Sequence, residues 1–187
     1  MERKIMSHFL AILLCAFAWH SEATTVERFS LHQLATESER ILVVTCLENT
    51  YEYPDGEPVT RYKFEVNEII KGPADSHITL HLPGGVIGAF ESRIAGMPTF
   101  SVGSKDVLFL TAPNLAGTAW PKGLGQGAFQ IRLDANDTPR VYQRLDGLTL
   151  HDRALKPTPE TEPVQGSVLT SFLQRVRSLS ESDDSAH

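Results

Sequence analysis

The chain has 187 residues, with 17 Lys and Arg against 23 Asp and Glu, and a formal net charge of -6 at pH 7. That length suits one domain, and the acidic balance disfavours nucleic acid and anionic membrane surfaces as partners. The cysteines are Cys15 and Cys46 alone, too few for a disulfide framework.

The chain opens in the order of an export signal. Arg3 and Lys4 form a basic start, residues 9–18 (FLAILLCAFA) are unbroken and apolar, and Ala16 and Ala18 make an A-x-A pattern, with Ser21 and Ala23 as a second candidate. A bilayer span takes about 20 apolar residues, so the run is too short to cross. Residues 1–23 are therefore expected to be a signal peptide, cleaved after Ala18 or Ala23, and the mature chain to be periplasmic or secreted. Leu14 before Cys15 does not suit lipid anchoring, and no later stretch reads as a membrane span. Cys46 then stands alone inside the apolar run 41–47 (ILVVTCL), which suits a buried, unreactive thiol.

A short helix is expected after Ser30. Gln33 follows at capping-box spacing, Leu31, Leu34 and Ala35 share a face, and the helix ends near Ser38. Residues 41–47 are apolar on both alternating faces, as in a strand covered on both sides. Tyr53-Pro54-Asp55-Gly56 reads as a turn. Thr60, Tyr62, Phe64 and Val66 then alternate with Arg61, Lys63, Glu65 and Asn67, and the apolar phase slips by Ile69, which predicts a β-bulge near Asn67 and Glu68. After a Lys71-Gly72-Pro73 turn, Ile78, Leu80 and Leu82 alternate with His77, Thr79 and His81. Residues 86–94 read as one further strand weakened by Gly88.

Residues 106–111 (DVLFLT) are again apolar on both faces, with Val107 and Phe109 on one and Leu108 and Leu110 on the other. Residues 128–133 (AFQIRL) place Phe129, Ile131 and Leu133 inward. Residues 134–139 form a turn, and 141–144 a short last strand. Short strands punctuated by glycines 84, 85, 88, 96, 103, 117, 123, 125 and 127 predict a mainly β fold, a small closed or partly open barrel over residues 24–150. Residues 151–166 read as a Pro-rich linker. Residues 167–179 read as a C-terminal helix capped by Ser167, with Val168, Leu169, Phe172, Leu173, Val176 and Leu179 as its stripe and Arg175 and Arg177 in its last turns. Residues 180–187 read as a disordered acidic tail.

Two stretches carry a resemblance. Residues 41–83 resemble the core of netrin-like, TIMP-like OB barrels: a helix, an apolar first strand, a Tyr/Phe-rich second strand, a Lys-Gly turn and a third strand. Pro83-Gly84-Gly85, Gly96-Met97-Pro98-Thr99-Phe100, Val107-Leu108-Phe109-Leu110 and Gln126-Gly127-Ala128-Phe129 are similar to a pattern in a group of bacterial exported proteins. Ser104 departs from it, where that group usually has an acid. The resemblance covers residues 31–150. It implies an OB-like barrel of exported bacterial type and no activity; the residues themselves add one short N-terminal and one C-terminal helix. Genes of that group often lie beside matrixin-type zinc proteases, which implies a second reading: an inhibitor or chaperone-like partner of a secreted zinc protease. TIMP-like proteins use an N-terminal cysteine held by disulfides, and the mature chain here has neither.

The residues suggest no catalytic constellation, no cofactor and no metal site. His77 and His81 share a strand face but lie roughly 13 Å apart, too far to share a zinc with bonds near 2 Å. The glycine runs at 84–88 and 123–127 lead into strands, where a phosphate cradle would lead into a helix. No Gly-x-Ser-x-Gly elbow is present, and a trio of His151 and Asp152 with Ser92 or Ser101 is the kind any chain of this size offers by chance. An exported, non-catalytic binding or accessory module is expected, its partner another exported protein such as a protease. OB-like barrels bind along one face and its loops. By that analogy the binding residues are Gly84, Gly85, Phe90, Met97, Phe100, Trp120 and Gln126.

Overall fold

The structure, a computed structural model, describes residues 24–184 except 74, 89, 116 and 152–163. The expected signal peptide, most of the expected linker and the end of the acidic tail lie outside the described residues. Strand β1 (Thr24–Glu27) leads into helix α1 (Leu31–Glu37). Long strands β2 (Arg40–Glu52) and β3 (Val59–Lys71) follow, then β4 (His77–Pro83), β5 (Gly85–Ile87) and β6 (Phe90–Ser92). After β7 (Lys105–Leu110), β8 (Ala128–Leu133), β9 (Pro139–Gln143) and β10 (Leu148–His151), the described chain closes with β11 (Ser167–Val168) and helix α2 (Leu169–Asp184).

Seven strands make one antiparallel sheet in the order β11-β9-β8-β7-β2-β3-β4. The chain is thus mainly β, with a helix near each end. The pairing runs from β11 to β4, and no described pairing joins those two edges, so the closed form of the expected barrel is not seen. Among the described residues no helix is long and apolar enough to cross a membrane.

The sheet is buried on both faces, as the doubly apolar runs require. One face carries Ile41, Val43, Val107, Phe109, Phe129 and Val141, covered by Leu31, Leu34 and Ala35 of α1 and by Phe172, Leu173 and Val176 of α2. The Phe129 ring lies 5.0 Å from Phe172 and 5.4 Å from Phe109, centroid to centroid. The other face carries Leu42, Val44, Cys46, Tyr62, Phe64, Leu80, Leu82, Leu108 and Leu110, and neither helix contributes to it. Instead Phe100, from the loop after β6, stands edge-on to both Tyr62 and Phe64 at 5.2 Å.

Local signals in the sequence set several of these features. The Ser30 hydroxyl accepts from the Gln33 amide and the Gln33 side chain accepts from the Ser30 amide, a reciprocal cap that starts α1. In β3 the pairing steps from Val43–Glu68 to Val44–Val66, so Asn67 is the expected bulge, and its Oδ1 accepts from Thr45 Oγ1 at 2.7 Å. Further register shifts lie at Ile41/Leu42 and Cys46/Glu48. Bulges add local bend and twist to the strand that carries them.

Other expectations need correction. Residues 86–94 are not one strand: the chain reverses at Gly88, φ +60°, and β5 pairs antiparallel with β6. Left-handed backbone at a glycine favours a tight hairpin over a continuous strand. Leu133 is not inward but 63% exposed, because it closes β8 beside the Asp134 turn, beyond the packed cluster. Ser167 lies in β11, paired with Val141, and α2 begins at Leu169 rather than at Ser167. The helix also runs past Leu179 to Asp184, into the segment expected to be disordered, with Ser180 Oγ donating to Val176 O. The parallel pairing of β1 with β10 was not expected, and it places residues 148–151 in a strand.

Cys46 is 1% exposed, and burial pushes its thiol up from the ordinary range. A buried, protonated thiol is a poor nucleophile. Labelling of the native protein with a maleimide should proceed at least about 100-fold more slowly than in urea, as for a core thiol that reacts only on opening. Similar rates in both states would contradict the assignment of β2 to the core.

Candidate functional site

The edge strand β4 ends at Pro83, and two glycines beyond it turn the chain back across the sheet. Gly84 takes φ +101° and Gly85 φ +156°. A Cβ on Gly84 would stand 2.9 Å from Ser92 O, and one on Gly85 2.9 Å from both Thr60 Oγ1 and Tyr51 Cδ1. Only glycine lets the β5–β6 hairpin lie this close to β2 and β3. Gly84 N donates to Pro58 O, and Thr60 Oγ1 donates to Gly84 O at 2.7 Å, which fixes the crossing. The chain then returns as a loop over residues 94–101. Asn49 Nδ2 ties it to β2 through Phe100 O at 3.2 Å, and Gly125 N holds its other side through Gly96 O at 2.9 Å.

Between hairpin and loop lies a cleft of about 510 Å³. Its deep side chains are Tyr62, Leu82 and Phe100, each under 5% exposed; its outer ones are Tyr51, Val86 and Ile94, each at least 40% exposed. Arg144 also lines it, from the segment after β9. The guanidinium stands 5.0 Å over the Phe100 ring, with Nε 2.8 Å from Asp106 Oδ1 and Nη2 3.2 Å from Asp106 Oδ2. Asp106 is fully buried and also accepts from Ser104 Oγ at 3.0 Å. Burial pushes the Asp106 carboxyl up, and Arg144 and then Ser104 pull it back. Burial likewise raises the Tyr62 phenol.

Of the expected binding residues, Gly84, Gly85, Met97 and Phe100 line this cleft together. Phe90 lies in the same hairpin, paired with Ile87. Trp120 and Gln126 do not line it. Trp120 sits in the connection from β7 to β8, its carbonyl accepting from the Thr111 amide. Gln126 is fully buried: its Oε1 accepts from Phe29 N at 2.8 Å and its Nε2 donates to Glu27 O at 2.9 Å, so it fastens the segment between β1 and α1. Sequence reasoning missed Arg144 and its partner. The available signal was Asp106, a carboxylate opening an otherwise buried strand, because such a group needs a cation or several donors.

His77 and His81 lie on the edge strand β4, and among the described residues no group of three or more His, Cys, Asp and Glu could hold a metal. Ser92 and Ser101 line the cleft, while Asp152 lies outside the described residues. No family model, curated protein or solved structure matches this chain. The cleft's chemistry rests on its own geometry: an apolar floor, a rim of mixed apolar and polar side chains and one cation held rigidly at depth.

Proposed function

We propose that this chain is an exported, non-catalytic binding module that takes an extended segment of another polypeptide into the cleft. The observation that carries this reading is the cleft itself, with Tyr62, Leu82 and Phe100 below and Tyr51, Val86 and Ile94 exposed around it. Concave sites with apolar walls and few fixed polar groups are the common form of a binding site. The bordering strand adds support. Among the described residues, β2 pairs with β7 only as far as Thr45, and residues 48–52 pair on one side alone, with β3. A strand open on one side can accept an extended chain by backbone hydrogen bonds.

The basic and apolar start of the chain supports export. The bulged, double-cored sheet is what a partly open OB-like barrel would have, and the resemblance makes an exported zinc protease the first partner to test. A photo-crosslinking residue at Val86 should trap a defined partner in a periplasmic or secreted fraction, and one at Leu133 should not. Ile94→Glu at the rim should reduce the Val86 adduct about 10-fold, the effect of losing roughly 1.4 kcal/mol of binding. Equal trapping from both positions, unaffected by Ile94→Glu, would reject the cleft as the binding surface.

A further inference from the structure

We propose that the cleft captures a free chain end, with the terminal carboxylate on Arg144 and an apolar last side chain against Phe100, Tyr62 and Leu82. This rests on the reading of the cleft as a polypeptide-binding site. Arg144 is fixed before any ligand arrives, because Asp106 holds Nε and Nη2 and the Phe100 ring supports the guanidinium plane. Asp106 leaves Nη1 as the terminal nitrogen it does not use. A guanidinium with a free donor, set in an apolar floor, matches a carboxylate, since hydrogen bonds between ions strengthen where water is excluded. Pre-organisation lowers the ordering cost of using a long side chain for recognition.

The charges around Arg144 confine this chemistry to one point. Asp106 lies beneath it, Glu91 at the mouth is engaged by Arg93, and Asp146 is exposed on the lining. The acids at the mouth oppose a polyanion, so a single carboxylate reaching past them fits better than a run of charges. A chain end fits better than an acidic side chain in mid-peptide. Arg144 is only 15% exposed, and its backbone leaves the cleft where Gly125 meets Arg144 O and Gly96 meets Leu148 so tightly that no Cβ fits at either glycine. With so little of the side chain exposed, a carboxylate at the end of a chain reaches the guanidinium with no backbone to accommodate beyond it.

The probes are a pool of acetylated hexapeptides ending in Leu, Ile, Val, Phe or Met, the same pool amidated, and an amidated pool with an internal Glu. Titrated into isotope-labelled full-length protein, the free-acid pool should move the Arg144 Nε–H, Tyr62 and Phe100 resonances. It should bind about 10-fold more tightly than the amidated pool. Arg144→Lys should erase that ratio while keeping the fold, since the charge opposite Asp106 remains; if it unfolds the protein, the Nε–H shift in the unaltered protein still decides. Equal binding of acid and amide at the cleft would overturn the carboxylate inference and leave the polypeptide reading standing. An internal Glu pool as good as the free acid would overturn the chain-end assignment. No shift at the cleft with any pool at millimolar concentration would overturn both.

Discussion

Phe109→Ala will lower the unfolding free energy by about 3–5 kcal/mol, the range for removing a buried aromatic ring. Phe109 is fully buried and pairs across the sheet with Ile41, and its ring meets Phe129 at 5.4 Å and Phe172 at 6.3 Å. Those neighbours come from β8, β2 and α2, so the cavity opens among elements that cannot all shift to fill it. Such a loss is a large share of a typical stability of roughly 5–15 kcal/mol. The control is Arg132→Ala on β8, exposed, donating to Gln130 and standing 5.5 Å over the Tyr142 ring. It should change stability by less than about 0.5 kcal/mol. Urea unfolding of both variants measures the difference. A near-neutral Phe109→Ala, or a costlier Arg132→Ala, would reverse the assignment of inner and outer faces.

Gly125→Ala is the second large effect expected, and its cause is different. A Cβ at Gly125 would stand 1.8 Å from Arg144 O and 3.2 Å from Gly96 O, both main-chain atoms. No side-chain rotation relieves that overlap; the Leu124–Gly127 turn or the segment carrying Arg144 must move. Forced backbone shifts of this kind cost about 1–3 kcal/mol and occasionally more, and an overlap this deep lies at the upper end. Gly103→Ala separates steric overlap from conformational preference, because Gly103 has φ +83° with nothing near its missing Cβ. There the cost should be about 1–2 kcal/mol, that of left-handed backbone alone. Thermal or urea unfolding that ranked Gly103→Ala as the costlier change would show that the Gly96–Gly125–Arg144 packing is slack. Because Arg144 leaves the cleft at this point, Gly125→Ala should also broaden the Arg144 side-chain resonances.

The face of Phe109 was legible because alternation is a local property of the chain. Val107 and Phe109 sort to the helix-covered side and Leu108 and Leu110 to the other, as the pattern in residues 106–111 requires. The bulge at Asn67 was legible for the same reason, since one extra residue shifts every later side chain to the opposite face. The hairpin at Gly88 was not, because an isolated glycine reads alike as a weak strand or a reversal until its φ is known. Gly84, Gly85, Met97 and Phe100 were found together because glycines mark where backbone must pass close to backbone. Gln126 was drawn in by the same glycine-rich context, yet its amide serves two backbone groups of the chain itself. Arg144 and Asp106 could not be paired in advance: they lie 38 residues apart, and their meeting depends on how β7, β8 and β9 stack in the sheet.

The position of α2 in the chain has a bearing on when this protein can finish folding. Phe172, Leu173 and Val176 cover the face that holds Phe109 and Phe129, and α2 follows every strand of the sheet in chain order. Synthesis proceeds from the N-terminus at about 5–20 residues per second, so β2, β7 and β8 all emerge with α1 already made but before α2, the second part of their cover. Until then, the nascent chain has strands to pair and α1 to cover part of one side, but not the rest of that cover. Full burial of Phe109 and Phe129 therefore waits on the last helix, and the sheet becomes compact on that side only once α2 is free to dock.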